Sequence, residues 1–394
     1  MTKAYKIAIY SGVVPSTTFI DRLIEGLAHK GQLVFTFGQQ REKPNKVKNV
    51  FYITYTNWVS KLFFLLKYSL LLSLFKSKEK RKLKAIIRGA KVNQIRLKVK
   101  YYPVLYHSPD IFHLQWAKGI TDWLWVKEFG MSLVLSLRGA HINYSPIADG
   151  DLAAIYRRTF PEIDGFHAVS EAIAVEAKKY GAPAAKLRVV YSGLNLDSFQ
   201  NLPKRVKQER LSVVSVGRSH WKKGYHYALD ACKLLKDKGV LFEYHIVGVG
   251  ADIELLYQIE DLALGAEVHL HSSQTFDQVK ALIHNTDVLL LPSVEEGIAN
   301  VVLEAMALKT LVVSTNCGGM EEVLTDGENG FIVPIRDSRA IAEALLSVQC
   351  MSESEYHQIT DNAQKTIAQQ HTSKQMNSGM LDLYEFTGFK LHRI

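Results

Sequence analysis

Two successive series of strand-length apolar runs, each followed by a helix-length segment, constrain this chain more than any other feature. The first series comprises KIAIYSG, LVFTFG, DIFHLQ, MSLVLSL and GFHAVS, and RVVYSGLN closes it. The second comprises LSVVSVG, EYHIVG, EVHLHS, DVLLLP, TLVVST and GFIVP. Runs that are apolar at nearly every position suit strands buried on both faces, and alternation with helices gives parallel sheets. The expected class is α/β, with two doubly wound Rossmann-like domains facing a cleft. A chain of 394 residues is long enough to give both a full core. The expected bounds are 1–200 for an N-terminal domain and 201–375 for a C-terminal one, with a helix at about 376–394 packing back on the first. LPKRVKQER (Leu202–Arg210) reads as a linker.

The charge is uneven. The whole chain carries +9. Between Arg41 and Lys100 there are 17 Lys/Arg against Glu42 and Glu79, so this stretch holds +15 and the remainder −6. Inside it lies LFFLLKYSLLLSLF (Leu62–Phe75), which as a helix is about 21 Å long against roughly 30 Å of bilayer hydrocarbon. It is therefore expected not to span a membrane. Apolar residues beside the cluster KSKEKRKLK (Lys76–Lys84) suit an element lying on an anionic membrane, with the basic stretch 76–100 as the contact. A core helix followed by a solvated one is the competing reading. No nucleic-acid motif accompanies the charge, so nucleic acid is not an expected partner. Cys232, Cys317 and Cys350 are an odd, scattered set with no CxxC, which fits a reducing compartment and neither disulfides nor zinc. The opening MTKAYKIAIYSG has too short an apolar run for a secretion signal. A cytoplasmic protein, peripheral on the inner membrane face, is expected.

Two segments carry chemistry. In LPSVEEGIANVVLEAMALK a strand leads through an acidic glycine loop into a helix, with Glu296 and Glu304 separated by seven residues. A helix N-terminus offers unpaired N–H groups and the positive end of a dipole, so the backbone from Gly297 to Val301 suits a diphosphate. Gly297 lets a ligand approach the backbone closely, and a carboxylate a turn or two further on suits neutral hydroxyls such as a ribose diol. In SVGRSHWKKGYHY a strand ends at Val216 and its loop carries Arg218, Lys222 and Lys223. Ligands of open α/β sheets lie beyond the carboxyl ends of the strands, where cations would meet a leaving diphosphate. Lys222 reads as a solvated loop lysine.

Together these segments resemble the family-4 retaining glycosyltransferases of GT-B fold. Gly217-Arg218…Lys223-Gly224 is similar to that family's GR-x4-KG element, and Glu296-Gly297-Ile298-Ala299-Asn300…Leu303-Glu304-Ala305-Met306 to its E-x7-E element. CGGMEEVLTDGENGFIVP, VGVGADIELL and FHAVSEAIAVEAKKYGAPAAKLRVVYSGLNLDSF continue the likeness, and PSTTFI (Pro15–Ile20) resembles the opening of members that build bacterial exopolysaccharide or capsule. The resemblance spans nearly all of the chain outside about 40–100. It implies that Arg218 and Lys223 hold the donor diphosphate and that Glu304 binds the ribose. Glu296 would contact the transferred sugar, with N–H groups from Gly297, Ile298, Ala299, Asn300 and Val301 on sugar and phosphates, and Gly12 near the diphosphate. It also implies a retaining reaction without a metal or other cofactor.

The chain departs from the family in Leu137-Arg138-Gly139-Ala140-His141. Arg138 stands where the family often has His, and His141 where it has Asp. His141 is a candidate to accept a proton or orient the acceptor, with a structural turn as the rival reading. Arg138 suits an acceptor anion or the donor phosphate. Ala299 and Asn300 replace the family's usual Gly and Leu, which bears on the sugar read. His113 reads as a core or rim residue of its strand. The implied activity is transfer of a hexose from a nucleotide sugar, UDP before GDP, to a lipid-linked or growing glycan. Alternatives are a nucleotide-sugar epimerase of the same architecture, or a non-catalytic glycan- or membrane-binding subunit.

Overall fold

The structure is a computed structural model that describes residues 4–90, 92–200 and 209–388. Lys91, within the basic stretch, residues 202–208 of the expected linker and residues 389–394 of the expected C-terminal helix lie outside the described residues. The chain forms two compact units. The first takes the described residues within Met1–Val169, Ala174–Val190 and Ser373–Ile394; the second takes those within Ser170–Ile173 and Tyr191–Thr372.

The first unit runs β1 (Lys6–Val14), α1 (Thr18–His29), β2 (Leu33–Gln40), β3 (Val50–Tyr55), α2 (Trp58–Phe75), α3 (Ser77–Gly89), α4 (Gln94–His107), β4 (Ile111–Leu114), β5 (Ser132–Leu137), α5 (Ser145–Ala148), α6 (Gly150–Thr159) and β6 (Gly165–Ala168). Helix α7 (Glu171–Lys179) begins in the second unit and leads back to β7 (Leu187–Val189). Its seven strands are parallel in the order β3-β2-β1-β4-β5-β6-β7, so the order reverses direction between β1 and β4. Every residue of β4, β5 and β6 is buried, as their apolar runs require.

The basic stretch, expected as an insertion at about 41–100 of the N-terminal domain, contains a strand as well as helices. VFYITY forms β3, an edge strand whose partly exposed residues and charged flanks hide it from an apolar-run reading. Helix α2 also starts earlier than expected. Asn57 accepts a hydrogen bond from the Ser60 N–H while Ser60 Oγ accepts one from Asn57 N–H, a reciprocal cap that sets the start at Trp58. The helix therefore has 18 residues, long and apolar enough by length and composition to cross a membrane, and the length argument against spanning no longer holds. The core-helix reading is also overturned: only Tyr68 and Leu72 of α2 are buried. These two face α4, and Lys80 of α3 donates to Ser69 Oγ at 2.8 Å, which ties the helices together.

The second unit runs β8 (Leu211–Val216), α8 (Tyr225–Asp237), β9 (Phe242–Val247), α9 (Ile253–Asp261), β10 (Val268–His271), α10 (Phe276–Asn285), β11 (Val288–Leu291), α11 (Asn300–Ala307), β12 (Leu311–Thr315), β13 (Phe331–Val333), α12 (Ser338–Cys350) and α13 (Glu353–Gln370). Its parallel sheet has the order β10-β9-β8-β11-β12-β13, reversing between β8 and β11. Both units are thus doubly wound, Rossmann-like α/β layers. Helix α14 (Ser373–Gly388) returns to the first unit, where Met376, Met380, Leu383 and Tyr384 join one core with Tyr5, Ile7, Ile20 and Leu23.

Candidate active site

The loops after β8 and β11 leave the sheet of the second unit at its reversal point, where an open α/β sheet forms its ligand crevice. Backbone contact fixes the two loops against each other. Val294 N–H donates to Lys222 O at 2.7 Å. Gly224 has φ +65°, and a Cβ there would lie 2.0 Å from Pro292 O. Gly318 has φ +56°, and its Cβ would lie 1.8 Å from Glu296 O, so the loop after β12 closes on the same segment. No other residue type fits either position without moving backbone.

This packing places Glu296 between two lysines. Lys223 Nζ lies 2.7 Å from Glu296 Oε1 and Lys222 Nζ lies 3.2 Å from Oε2. Ser293 Oγ donates to Oε1 at 3.4 Å. Burial opposes ionisation of Glu296, but Lys223 and Lys222 outweigh it and hold its carboxyl below the usual range. Lys222, expected to be a solvated loop residue, is instead only 7% exposed. The reason is the tight loop contact, which turns its ammonium inward; adjacent lysines give no spacing signal for that. Ser293 was likewise not legible. His220 is held below its usual range by burial and then by Arg218 and Lys222.

The other expected residues of this unit surround the cluster by element. Gly217 follows β8, and a Cβ there would lie 2.8 Å from the Tyr225 hydroxyl and 2.9 Å from Lys223 Cε. Arg218 is exposed on the same loop. Gly297, Ile298 and Ala299 lead into α11, which starts at Asn300 and Val301 and carries Glu304 in its second turn. The structure thus joins Glu296 and Lys223 directly and places Arg218 and Glu304 on the neighbouring elements.

Gly12, Arg138 and His141 belong to the first unit. Gly12 sits in β1 with φ +88°. Arg138 follows β5, donates to Gln115 Oε1 at 3.0 Å and lies over the Phe19 ring at 4.4 Å. Burial pushes its guanidinium down to about 9. Its Nε and the Gln115 Nε2 are buried and have no hydrogen-bond partner among the described residues. His141 ends a short turn beside Trp116, with ring centroids 5.5 Å apart, and its carbonyl accepts from the Tyr156 hydroxyl at 3.1 Å. His113, expected at the core or rim, is fully buried and bonds Tyr384 and Ser136.

Residues 198–366 match the family described as Glycosyl transferases group 1, so the second unit carries a domain of that family. The chain is 31% identical over 237 residues to the putative colanic acid biosynthesis glycosyltransferase WcaL of Escherichia coli K12, covering 58% of each chain. It is 33% identical to the amylovoran biosynthesis glycosyltransferase AmsK of Erwinia amylovora, over 42% of each. The chain thus matches little more than half the length of the first of these relatives and less than half of the second. Two solved structures share the fold over nearly the full length. A glycosyltransferase from Rickettsia africae superposes with a TM-score of 0.72 at 16% identity, covering 98% of this chain and 99% of that one. Anabaena Alr3699/HepE in complex with UDP-glucose gives 0.70 at 16%, covering 97% and 99%. The fold is GT-B.

Proposed function

We propose that this chain, with its group 1 glycosyltransferase domain on a GT-B fold, is a retaining hexosyltransferase that uses a nucleotide sugar, UDP-linked in the first instance. The acceptor is a hydroxyl of a lipid-linked or growing exopolysaccharide at the cytoplasmic membrane face. The observation that carries this reading is the buried Lys222–Glu296–Lys223 cluster at the sheet reversal. The UDP and UDP-glucose complexes of the Anabaena neighbour support the donor class, and the colanic acid and amylovoran relatives support the acceptor class.

In this reading the acceptor oxygen attacks the anomeric carbon on the face from which the diphosphate leaves. The new C–O bond forms as the sugar–phosphate bond breaks, and the hydroxyl proton passes to the departing phosphate oxygen. Arg218 and Lys223 stabilise the charge that develops there, in a setting where a fixed cation is worth far more than in water. Glu296 orients Lys223 and reads the sugar; Glu304 takes the ribose. The N–H groups from Gly297 to Val301 face the sugar and phosphates, and Gly12 serves the diphosphate from the first unit. His141 and Arg138 serve the acceptor. No metal is required, because fixed cations and a helix terminus supply the positive charge. The basic stretch 76–100 holds the protein on an anionic inner leaflet.

The test is thermal-shift binding against UDP-, GDP-, ADP- and TDP-sugars with EDTA present, followed by product analysis with acceptor. One nucleotide class is expected to raise the melting temperature, by about 2.7 kcal/mol of stabilisation at a hundredfold excess over Kd. A retained anomeric configuration in the product is expected. No donor binding would favour the non-catalytic subunit, and an epimerised free sugar the epimerase.

A further inference from the structure

The first unit contains a cavity of about 650 Å³, and Gly12 is the one residue of its lining that the proposed donor chemistry also uses. It lies over the ends of β1, β2 and β3 and is roofed by the first turns of α2 and by α4. Gly12 and Gly38 give it a bare backbone floor; a Cβ at Gly38 would lie 2.4 Å from Gly12 O. Three cations line it: Lys61 from α2, and Arg96 and Lys100 from α4. Among the described residues no Asp or Glu lines it. Lys100 pairs with Asp122 at 2.9 Å, while Arg96 has no carboxylate partner among the described residues. Tyr55 lies beneath Lys61, with its ring centroid 5.7 Å from Nζ, and Phe64 packs on Tyr55 at 5.5 Å. The cavity is therefore cationic on one wall and aromatic on another.

The helix that roofs it is two-sided. While Lys61 and Phe64 face the cavity, α2 turns Trp58, Phe63, Leu66, Leu70 and Leu74 outward, each more than half exposed. Such a stripe is out of place in water but not in hydrocarbon. Exposed Lys78, Arg81, Lys84 and Arg88 of α3 follow directly, complementary to an anionic surface.

We propose that this cavity seats the phosphate or diphosphate headgroup of a lipid, bound by Lys61, Arg96 and Lys100, while the outer stripe of α2 lies among hydrocarbon chains. The acceptor sugar then reaches the protein attached to that lipid. That the attached sugar is an acceptor rests on the glycosyl-transfer reading; the headgroup site stands on the cavity and the helix. Arg96 and Lys61 are suited to phosphate oxygens as a fork and a point charge respectively.

The experiment is calorimetric titration of the full chain, saturated with UDP so that the donor site is filled, with three probes: farnesyl diphosphate, inorganic diphosphate and farnesol. Farnesyl diphosphate is expected to bind at least tenfold more tightly than either of the others. The double variant Lys61→Gln/Arg96→Gln is expected to weaken it at least tenfold, and Lys61→Arg/Arg96→Lys to restore most of the affinity. Leu66→Ser/Leu70→Ser, on the outer face of α2, is expected to leave both diphosphates unchanged in this membrane-free titration and to weaken only binding of the protein to lipid vesicles. Unchanged affinity in Lys61→Gln/Arg96→Gln, at an unchanged melting temperature, overturns the proposal. Inorganic diphosphate binding as tightly as farnesyl diphosphate overturns it in favour of a soluble phosphate ligand. Because no sugar moves in this titration, headgroup binding without any transfer activity would sink the transferase reading alone.

Discussion

Glu296 keeps its charge in a place where burial alone would remove it, and the two lysines that hold it there have separable roles. Lys223 lies in the Gly217…Gly224 loop at a position that meets the diphosphate in the proposed reaction; Lys222 is buried behind it and bonds the opposite carboxylate oxygen. Lys223→Ala is therefore expected to lower kcat at least tenfold, because its charge acts on the leaving group. Lys222→Met is expected to act through Glu296. Removing one partner of a buried ion pair costs on the order of 3–5 kcal/mol, and less where a second cation, here Lys223, still holds the carboxylate. The sign of its pH effect follows from the depressed carboxyl: the contribution of Glu296 is present above its unfolded value near 4.5 and is lost as pH falls through the folded value. With Lys222 gone the folded value rises, so the acid limb of stability and of kcat moves to higher pH. Urea midpoints and kcat measured from about pH 2.5 to 7 check this; an unmoved acid limb would refute the role given to Lys222. The family likeness assigns Lys223 to the diphosphate and Glu296 to the sugar, and gives no sign that the two pair. It carries no sign of Lys222, because a side chain's direction from a loop depends on what the loop packs against.

At the scale of elements, the buried runs of β4, β5, β8 and β11 were legible because their apolar content has no other use. Strand β3 was not, since an edge strand need not be apolar throughout. The start of α2 had a signal, Asn57-x-x-Ser60, that an apolar-run reading passes over. This boundary matters for the membrane prediction. Replacing Lys78, Arg81 and Lys84 by Gln is expected to weaken flotation with anionic vesicles by up to about 1 kcal/mol per residue and to leave neutral vesicles unaffected. Leu66→Ser/Leu70→Ser is expected to weaken both. Absence of flotation by the unaltered protein at low salt would remove the membrane contact. A second element-level expectation concerns β4, β5 and β6. His113 bonds Ser136 Oγ at 2.8 Å, and Ser136 Oγ lies 2.9 Å from His167 Nδ1. Burial, then the charge of Arg138, pushes His167 down to about 3, and burial, then His167, depresses His113 strongly. Both rings are neutral in the fold, whereas the unfolded chain takes up protons near pH 6.5. Stability from this network is complete above pH 6.5 and falls below it, by on the order of 1 kcal/mol per group per pH unit. His113→Gln/His167→Gln is expected to flatten that decline in urea midpoints between pH 6.5 and 5. An equal decline in the variant would place the acid sensitivity elsewhere.

For the molecule as a whole, the order of the chain and the order of the units differ. After α13 completes the second unit, α14 joins the first, burying Met376, Met380, Leu383 and Tyr384 against α1 and the sheet. The hydroxyl of Tyr384 also meets His113 Nδ1 at 2.7 Å, so the last described helix completes the buried network just considered. Each such side chain is worth roughly 1.5–3 kcal/mol when fully buried. Four of them together rival the total stability of a domain, about 5–15 kcal/mol. Ending the chain at Thr372 is therefore expected to unfold the first unit and spare the second. Limited proteolysis should then digest residues before about 170 while a fragment from about 190 to 372 persists. Because Gly217, Lys223, Glu296 and Glu304 all lie within that fragment, its unfolding temperature should still rise with the nucleotide sugar that stabilises the intact chain. Transfer to any acceptor should vanish, since His141, Arg138 and the cationic cavity are lost with the first unit. A truncated chain whose first unit resists protease as the full chain does would show that α14 adds surface cover and not core. A fragment that no longer responds to the nucleotide would mean that the donor site needs residues of both units.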